Sequence, residues 1–133
     1  MRMRTLIAAA ALAAAGAARA APGEEVEVTS GVVTGLSCAL RAREVGDLRH
    51  LTSCPPAEAS KDLVVYDVAE KRIYRISAKK VYRWQLESAV GGGSIDFSGT
   101  AVSVDPVKDV ATVDVTEFSI TKKPKPGAFK GCL

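Results

Sequence analysis

Residues 26–36 have the sequence Val-Glu-Val-Thr-Ser-Gly-Val-Val-Thr-Gly-Leu, which predicts one long, bent β-strand. Apolar and polar side chains alternate at Val26 and Val28, and the alternation shifts near Gly31. A period of two is the pattern of a strand with one buried face. Glycine within a strand often marks a bulge or a sharp bend. We therefore expect a first strand that curves enough to be shared between two faces of a closed sheet.

The next segment predicts a loop followed by a hairpin. Residues 39–61 contain Gly46, Pro55 and Pro56, which break regular structure, so we expect a loop there. Residues 62–68 and 72–76 are rich in β-forming side chains, and only three residues separate them. The first of these two runs is apolar without interruption from Leu63 to Tyr66, which favours a strand covered on both faces.

The period then changes from that of a strand to that of a helix. Tyr82, Leu86, Ala89 and Val90 share one helical stripe. Ser77 is the expected N-cap, and residues 91–93, three glycines, are expected to end a helix of about three turns. Trp84 flanks the stripe, and at this spacing it is expected in the core.

Two further strands complete the pattern. Residues 95–101 place apolar side chains on one face, whereas Val102 and Val104 lie on the other, so we predict a bulge near Gly99. Residues 105–109, Asp-Pro-Val-Lys-Asp, have turn chemistry. The apolar residues of the last strand are Val113 and Val115 and then, after a second shift in the alternation, Phe118 and Ile120.

The predicted order of elements is therefore β-β-β-α-β-β, with one helix between the third and fourth strands. This order is that of a mostly β, five-stranded OB-like Greek-key barrel. The alternatives are a six-stranded barrel or an α+β sheet with one packed helix.

A resemblance points the same way. The strand Gly31-Val32-Val33 runs towards Cys38, a long segment then carries His50 and Cys54, and Val64-Val65-Tyr66 follows. In this order the features resemble small exported bacterial OB-fold-like proteins of unassigned function. The resemblance implies an exported OB-like domain, and it implies no activity or cofactor.

The first twenty residues predict a cleavable signal peptide. They open with Arg2 and Arg4, continue with an apolar run over residues 6–15, and end in Ala18-Arg19-Ala20, which fits cleavage after Ala20. The apolar run is about ten residues, whereas a membrane-spanning helix needs about twenty. We expect residues 21–133 to be periplasmic or secreted, with no transmembrane segment after cleavage.

Cleavage also changes the charge of the chain. The full sequence has 18 basic and 15 acidic residues, and the predicted signal peptide contains Arg2, Arg4, Arg19 and no acidic residue. The remaining chain is then electroneutral and lacks the broad positive field that nucleic-acid binding uses, so a nucleic-acid partner is not expected. Residues 21–133 fit a single domain, with a Pro/Lys-rich tail over residues 122–133.

Three cysteines follow the predicted signal peptide, and outside the cytoplasm such thiols are usually bridged. We favour a disulfide between Cys38 and Cys54, which flank one connecting segment. Cys132 is an alternative partner for either, or a free thiol that could join two chains.

Candidates for metal binding and catalysis are few. His50 is the only histidine, and with Cys54 it is the best candidate pair of metal ligands, to which Cys38 and Cys132 could add soft donors. There is no Cys-x-x-Cys motif, so no metal or other cofactor is expected. There is also no Gly-x-Ser-x-Gly motif or other catalytic signature, so an enzyme is not expected.

Basic and aromatic side chains alternate near the predicted helix. This combination can bind anions or sugars, and the candidate binding residues are Lys79, Lys80, Tyr82, Arg83 and Trp84. The sequence favours a non-enzymatic binding or interaction module of the cell envelope, with an unknown ligand or protein partner. The alternative is a small redox- or metal-responsive protein that uses Cys38, His50, Cys54 and Cys132.

Overall fold

The computed structural model describes residues 21–77 and 79–122. Five strands and four helices lie in this part of the chain. The strands are β1 (Glu25–Gly35), β2 (Leu63–Asp67), β3 (Arg72–Ile76), β4 (Ser94–Asp105) and β5 (Val110–Lys122). The helices are α1 (Leu36–Val45), α2 (Arg49–Thr52), α3 (Pro56–Lys61) and α4 (Arg83–Glu87).

The five strands close into a barrel in the order β1-β2-β3-β5-β4, and β4 returns to β1. β3 and β5 pair in parallel, and the other pairs are antiparallel. A parallel pair needs a long crossover connection, which α4 and β4 provide. The predicted five-stranded OB-like barrel with a helix between the third and fourth strands is confirmed.

The bend in β1 lies where glycine predicts it. The register of β1 against β4 shifts between Val28 and Gly31, and Ser30 has a φ of 56°. A side-chain carbon on Gly31 would lie 2.5 Å from Cγ1 of Val65, so the bend has no room for a larger residue. Beyond the bend, residues 32–35 of β1 also pair with β2, so the same strand contributes to both sides of the barrel.

The barrel encloses an apolar core that is also closed by residues outside the strands. Tyr74 packs edge-on against Phe97, with ring centroids 5.9 Å apart. α4 and the turn after it add Leu86, Ala89 and Val90 to this core. The strand side chains in the core include Val26, Val28, Val33, Val65, Ile95, Ala101, Ala111, Val113 and Val115.

A second apolar cluster lies on the outside of the barrel. α1 and α2 pack Leu36, Ala39, Ala42 and Leu51 against β2, β3 and the start of β5, and the strand residues that they cover are Val64, Tyr66, Ile73 and Val110. All five residues of β2 are buried, which confirms a strand covered on both faces.

Polar contacts fix the two helices in this position. Thr34 of β1 is fully buried and its hydroxyl donates to the carbonyl of Leu51, at 2.9 Å. At the other end of α1, the Arg43 guanidinium donates to the carbonyls of Lys108 and Asp109, at 2.5 and 3.1 Å. α1 is therefore anchored to the β4–β5 turn as well as to β1.

The predicted loop over residues 39–61 is wrong, because most of this segment is helical. α1 begins directly after β1, so β1 ends at Gly35 and not at Leu36. Gly46 ends α1 in the left-handed conformation, with φ of 79° and an N–H that donates to the Ala42 carbonyl at 2.8 Å.

The predicted three-turn helix after Ser77 is also wrong in length. α4 has five residues, and its N-cap is Tyr82, whose N–H donates to the Gln85 side chain at 2.8 Å. Ser77 does not cap the helix because α4 begins six residues later, and the Ser77 N–H instead donates to the Val113 carbonyl, which extends the pairing of β3 with β5. Ala89 and Val90 are buried as predicted, but they lie in turns.

Three of the four helices, α1, α3 and α4, adjoin strand ends that lie together. Gly35 of β1 pairs with Leu63 of β2, Val32 of β1 pairs with Ser94 of β4, and Ser94 pairs with Lys122 of β5. We refer to this end of the barrel as the helical end. The β2–β3 and β4–β5 turns lie at the opposite end.

Leu51→Ala tests whether the cover on β2 and β3 is part of the folded core. Leu51 is 2% exposed, and truncating a buried leucine costs about 2–5 kcal/mol. Leu48→Ala is the matched control, because Leu48 lies in the same segment and is 47% exposed, so the loss should be within about 0.5 kcal/mol. Urea unfolding of both variants measures the difference, and equal losses would contradict the packing of α2.

Candidate functional site

The barrel face that usually binds ligands is covered in this protein. OB-fold barrels bind oligonucleotides and oligosaccharides across the face formed by strands 2 and 3. Here α1 and α2 pack on the outside of those strands, and Val64, Tyr66 and Ile73 are each no more than 2% exposed. These strand side chains are therefore not accessible to a ligand while α1 and α2 are in place.

The disulfide joins α1 to the short connection between α2 and α3. Cys38 lies in the first turn of α1, Cys54 follows α2, and their sulfur atoms are bonded. Cys54 is buried in the barrel core, and Cys38 packs against it from the side. The bridge therefore links the outer cover to the interior of the barrel, as well as closing a loop.

A concave region of about 370 Å³ lies beside the disulfide. Both cysteines line it, together with Arg41 of α1, His50 of α2 and Glu58 of α3. The Glu58 carboxylate accepts from the Ser37 hydroxyl at 3.2 Å and from Lys61 at 3.1 Å, and these contacts lower the pKa of Glu58. The sequence predicted that His50 and Cys54 could lie together, and both line this region.

The start of α2, which carries His50, is held by Asp47. The Arg49 guanidinium donates to the Asp47 carboxylate at 2.9 Å, and the Arg49 N–H donates at 3.0 Å. These bonds hold the pKa of Asp47 at about 2, so the carboxylate is ionised at neutral pH. Because this folded-state pKa lies below the ordinary 3.8, the stabilisation is present above about pH 4 and is lost as the pH falls towards 2.

The bridge removes two of the candidate metal ligands. A sulfur atom in a disulfide is not a thiolate, and only the thiolate binds a metal. Among residues 21–77 and 79–122, no three histidine, cysteine, aspartate or glutamate side chains are grouped to hold an ion. Cys132 lies outside the described residues, and so does most of the Pro/Lys-rich tail.

Reduction of the protein tests the structural role of the disulfide. The bridge spans 16 positions, and a loop of this length contributes about 3 kcal/mol in the chain-entropy model. We expect the double variant C38S/C54S to unfold at a correspondingly lower urea concentration. Wild-type protein in dithiothreitol should match the variant in the same reducing buffer. A wild-type midpoint that does not change on reduction would contradict this role.

Among residues 21–77 and 79–122, the most exposed large aromatic side chains lie together at the start of α4. Tyr82 is 63% exposed and Trp84 is 67% exposed, and Trp84 is the only tryptophan in the sequence. The prediction that Trp84 packs in the core is wrong, because α4 has little more than one turn and Leu86 alone of its residues is buried. We refer to residues 79–84 as the aromatic–basic patch.

The basic residues of the patch differ in how they are used. The Arg83 side chain donates to the Glu87 carboxylate at 2.7 Å and to the Ser60 carbonyl, so it ties α4 to α3. Lys79 lies 3.7 Å from the Asp114 carboxylate and stays 73% exposed. Lys80 makes no ion pair with any residue of the described part of the chain. Arg83 is 56% exposed but its side chain is held by contacts within the fold, so Lys79 and Lys80 are the cations more available to a partner.

A third surface, on the outside of β1, β4 and β5, is acidic. It is a shallow region of about 690 Å³ whose lining includes Glu27, Asp96, Glu117 and Phe118. Asp96 accepts from the Ser30 N–H at 2.8 Å, which stabilises the bend in β1. Sequence reasoning missed this surface, because the three strands align only when the shifted register of β4 against β5 is known.

Comparisons with known proteins give no further guidance. No protein-family model, curated protein or solved structure matches the chain. The resemblance to small exported OB-fold-like proteins therefore stays a prediction. None of the helices in residues 21–77 and 79–122 has the length and hydropathy that a membrane-spanning helix needs.

Proposed function

We propose that the protein is a non-enzymatic binding module of the cell envelope, and that its contact surface is the aromatic–basic patch. The partner is anionic at the point of contact. The observation that carries the proposal is the exposure of Tyr82 and Trp84, two positions apart, beside the cations of Lys79 and Lys80.

The chemistry of these side chains supports a contact surface. Tryptophan and tyrosine are enriched among the residues that dominate binding energy, because each supplies a large, rigid contact area with one polar group. Two such side chains that are each about two-thirds exposed gain this energy only when something covers them. The adjacent ammonium groups select for an anionic partner and against a cationic one.

The other described surfaces of the barrel are less suited to an anionic partner than the patch. α1 and α2 occupy the face of strands 2 and 3, and the wall of β1, β4 and β5 carries carboxylates that repel anions. Arg72 and Arg75, which lie on β3, are paired with Glu24 at 3.1 Å and Asp62 at 2.7 Å. The patch is the described surface that combines exposed aromatic rings with exposed cations.

Export is part of the proposal. The sequence of residues 1–20 supports it through its signal-peptide pattern, and the Cys38–Cys54 disulfide is compatible with an oxidising compartment. N-terminal sequencing of the protein from its native cell should find Ala21 as the first residue, in the envelope or medium. An intact Met1 in the cytoplasm would contradict export.

Trp84 is a built-in probe for binding, because its fluorescence reports on its own burial. We expect its emission to shift to shorter wavelength with at least one of three anionic probes: a sulfated polysaccharide, poly-glutamate, or vesicles that contain phosphatidylglycerol. Tyr82→Ala should weaken binding by about tenfold or more, the loss typical of an aromatic hot spot.

Two charge variants serve as a matched pair in the same titrations. Lys80→Glu reverses an unpaired charge in the patch and should weaken binding, whereas Lys71→Glu makes the same change at the opposite end of the barrel and should not. If no probe changes the emission of Trp84, or if both variants bind like wild type, the proposed function is wrong.

The concave region at the disulfide favours a second candidate, a redox-responsive protein. Cys38 and Cys54 both line that region, so a small thiol could reach the bridge. Intact mass under a graded glutathione ratio decides it. A bridge that opens only in conditions far more reducing than those that open exposed disulfides supports a structural role and removes this candidate.

A further inference from the structure

We infer that the aromatic–basic patch docks on the surface of an anionic lipid bilayer, with the helical end of the barrel facing the membrane. This inference rests on the proposed function and names its partner. It follows from the shape of the patch, the chemistry of its side chains and the distribution of charge around the barrel.

The rings of the patch are exposed and are not enclosed by a cleft described above. Tyr82 and Trp84 are each about two-thirds exposed, and neither lines the concave regions at the disulfide and along β1, β4 and β5. Small molecules bind in clefts that enclose them. An exposed pair of aromatic rings outside these regions fits a partner that is broad and deformable, as a lipid headgroup layer is.

The side chains are those that favour the boundary between lipid and water. Tryptophan and tyrosine concentrate at the membrane interface, where the ring lies among the headgroups and the polar atom stays hydrated. Lysine near an anionic bilayer adds an electrostatic attraction that acts at short range. Tyr82, Trp84, Lys79 and Lys80 place both kinds of group within six residues.

Further cations lie at the same end of the barrel. Lys122 ends β5 opposite Ser94. Lys61 ends α3, which Arg83 ties to α4, and its side chain is 71% exposed although it pairs with Glu58. The carboxylates of Glu27 and Glu117 lie along the side wall. Among the cations at this end, Lys80 and Lys122 have no carboxylate partner in the described part of the chain, so an anionic surface attracts the helical end more than that wall and favours an end-on orientation.

Docking of this kind is reversible and depends on salt. Two aromatic rings and a few lysines bury far less apolar surface than a membrane-spanning helix, and the electrostatic part is screened within a Debye length of about 8 Å at physiological ionic strength. Raising the ionic strength should therefore release the protein from vesicles, while the folded barrel remains intact.

The experiment compares binding of the exported protein to vesicles of phosphatidylcholine alone and to vesicles with phosphatidylglycerol. We expect sedimentation with the anionic vesicles only, together with a blue shift of Trp84 emission and its quenching by lipids brominated on the acyl chain. Trp84→Ala, followed by sedimentation, should reduce binding by about tenfold. Val107→Ala is the control, because Val107 is 89% exposed at the opposite end.

The outcomes separate this inference from the proposed function. If poly-glutamate or the sulfated polysaccharide shifts the emission of Trp84 and anionic vesicles do not, the function stands and the bilayer is not the partner. If vesicles bind the protein but Trp84→Ala and Lys80→Glu bind as well as wild type, docking does not use the patch and the inference is overturned. Circular dichroism of each variant verifies that the barrel is folded.

Discussion

The contact between α1–α2 and the outer face of β2 and β3 is the constraint on which the rest of the structure depends. This contact adds a second apolar cluster, on the outside of the barrel, to the core inside it. β2 is therefore buried on its inner side by the barrel and on its outer side by the helices. The disulfide, the Thr34 hydroxyl and the Arg43 guanidinium all act on these same helices. The contact also covers the face that barrels of this order commonly use for binding.

Local patterns predicted most of the barrel because β-strands carry their own signals. Gly31 marks the bend in β1, the apolar run of β2 indicates burial on two faces, and Gly99 marks a register shift in β4, which the pairing confirms. The cover was missed, although its signal is present: Leu36, Ala39 and Ala42 share one helical face, and Gly46 follows as a C-terminal cap. The hydrophobic signal of that face is weak, because two of its three residues are small alanines. The helix-breaking residues at 46, 55 and 56 predicted one continuous loop, whereas they separate short helices.

The candidate site could be predicted only in part. The residues of the patch are neighbours in the sequence, so the sequence pattern identified them. The helical spacing wrongly predicted that Trp84 is buried, because a helix of five residues is too short to bury every residue at that spacing. The pairing of Cys38 with Cys54 followed from their positions on either side of one segment. The acidic surface on β1, β4 and β5 could not be predicted in this way. Its residues Asp96 and Glu117 lie about seventy and ninety positions after Glu27, and local periodicity does not indicate how distant strands align.

The position of β5 has a consequence for how the chain reaches its native state. β5 pairs with β3 on one side and with β4 on the other, so it is the strand that closes the barrel. It is also the last element of the described chain. Until Val110–Lys122 is available, β3 and β4 both present open edges, which are templates for pairing with other chains. The first four strands therefore cannot form a closed barrel without β5, and a chain shortened before β5 is expected to aggregate.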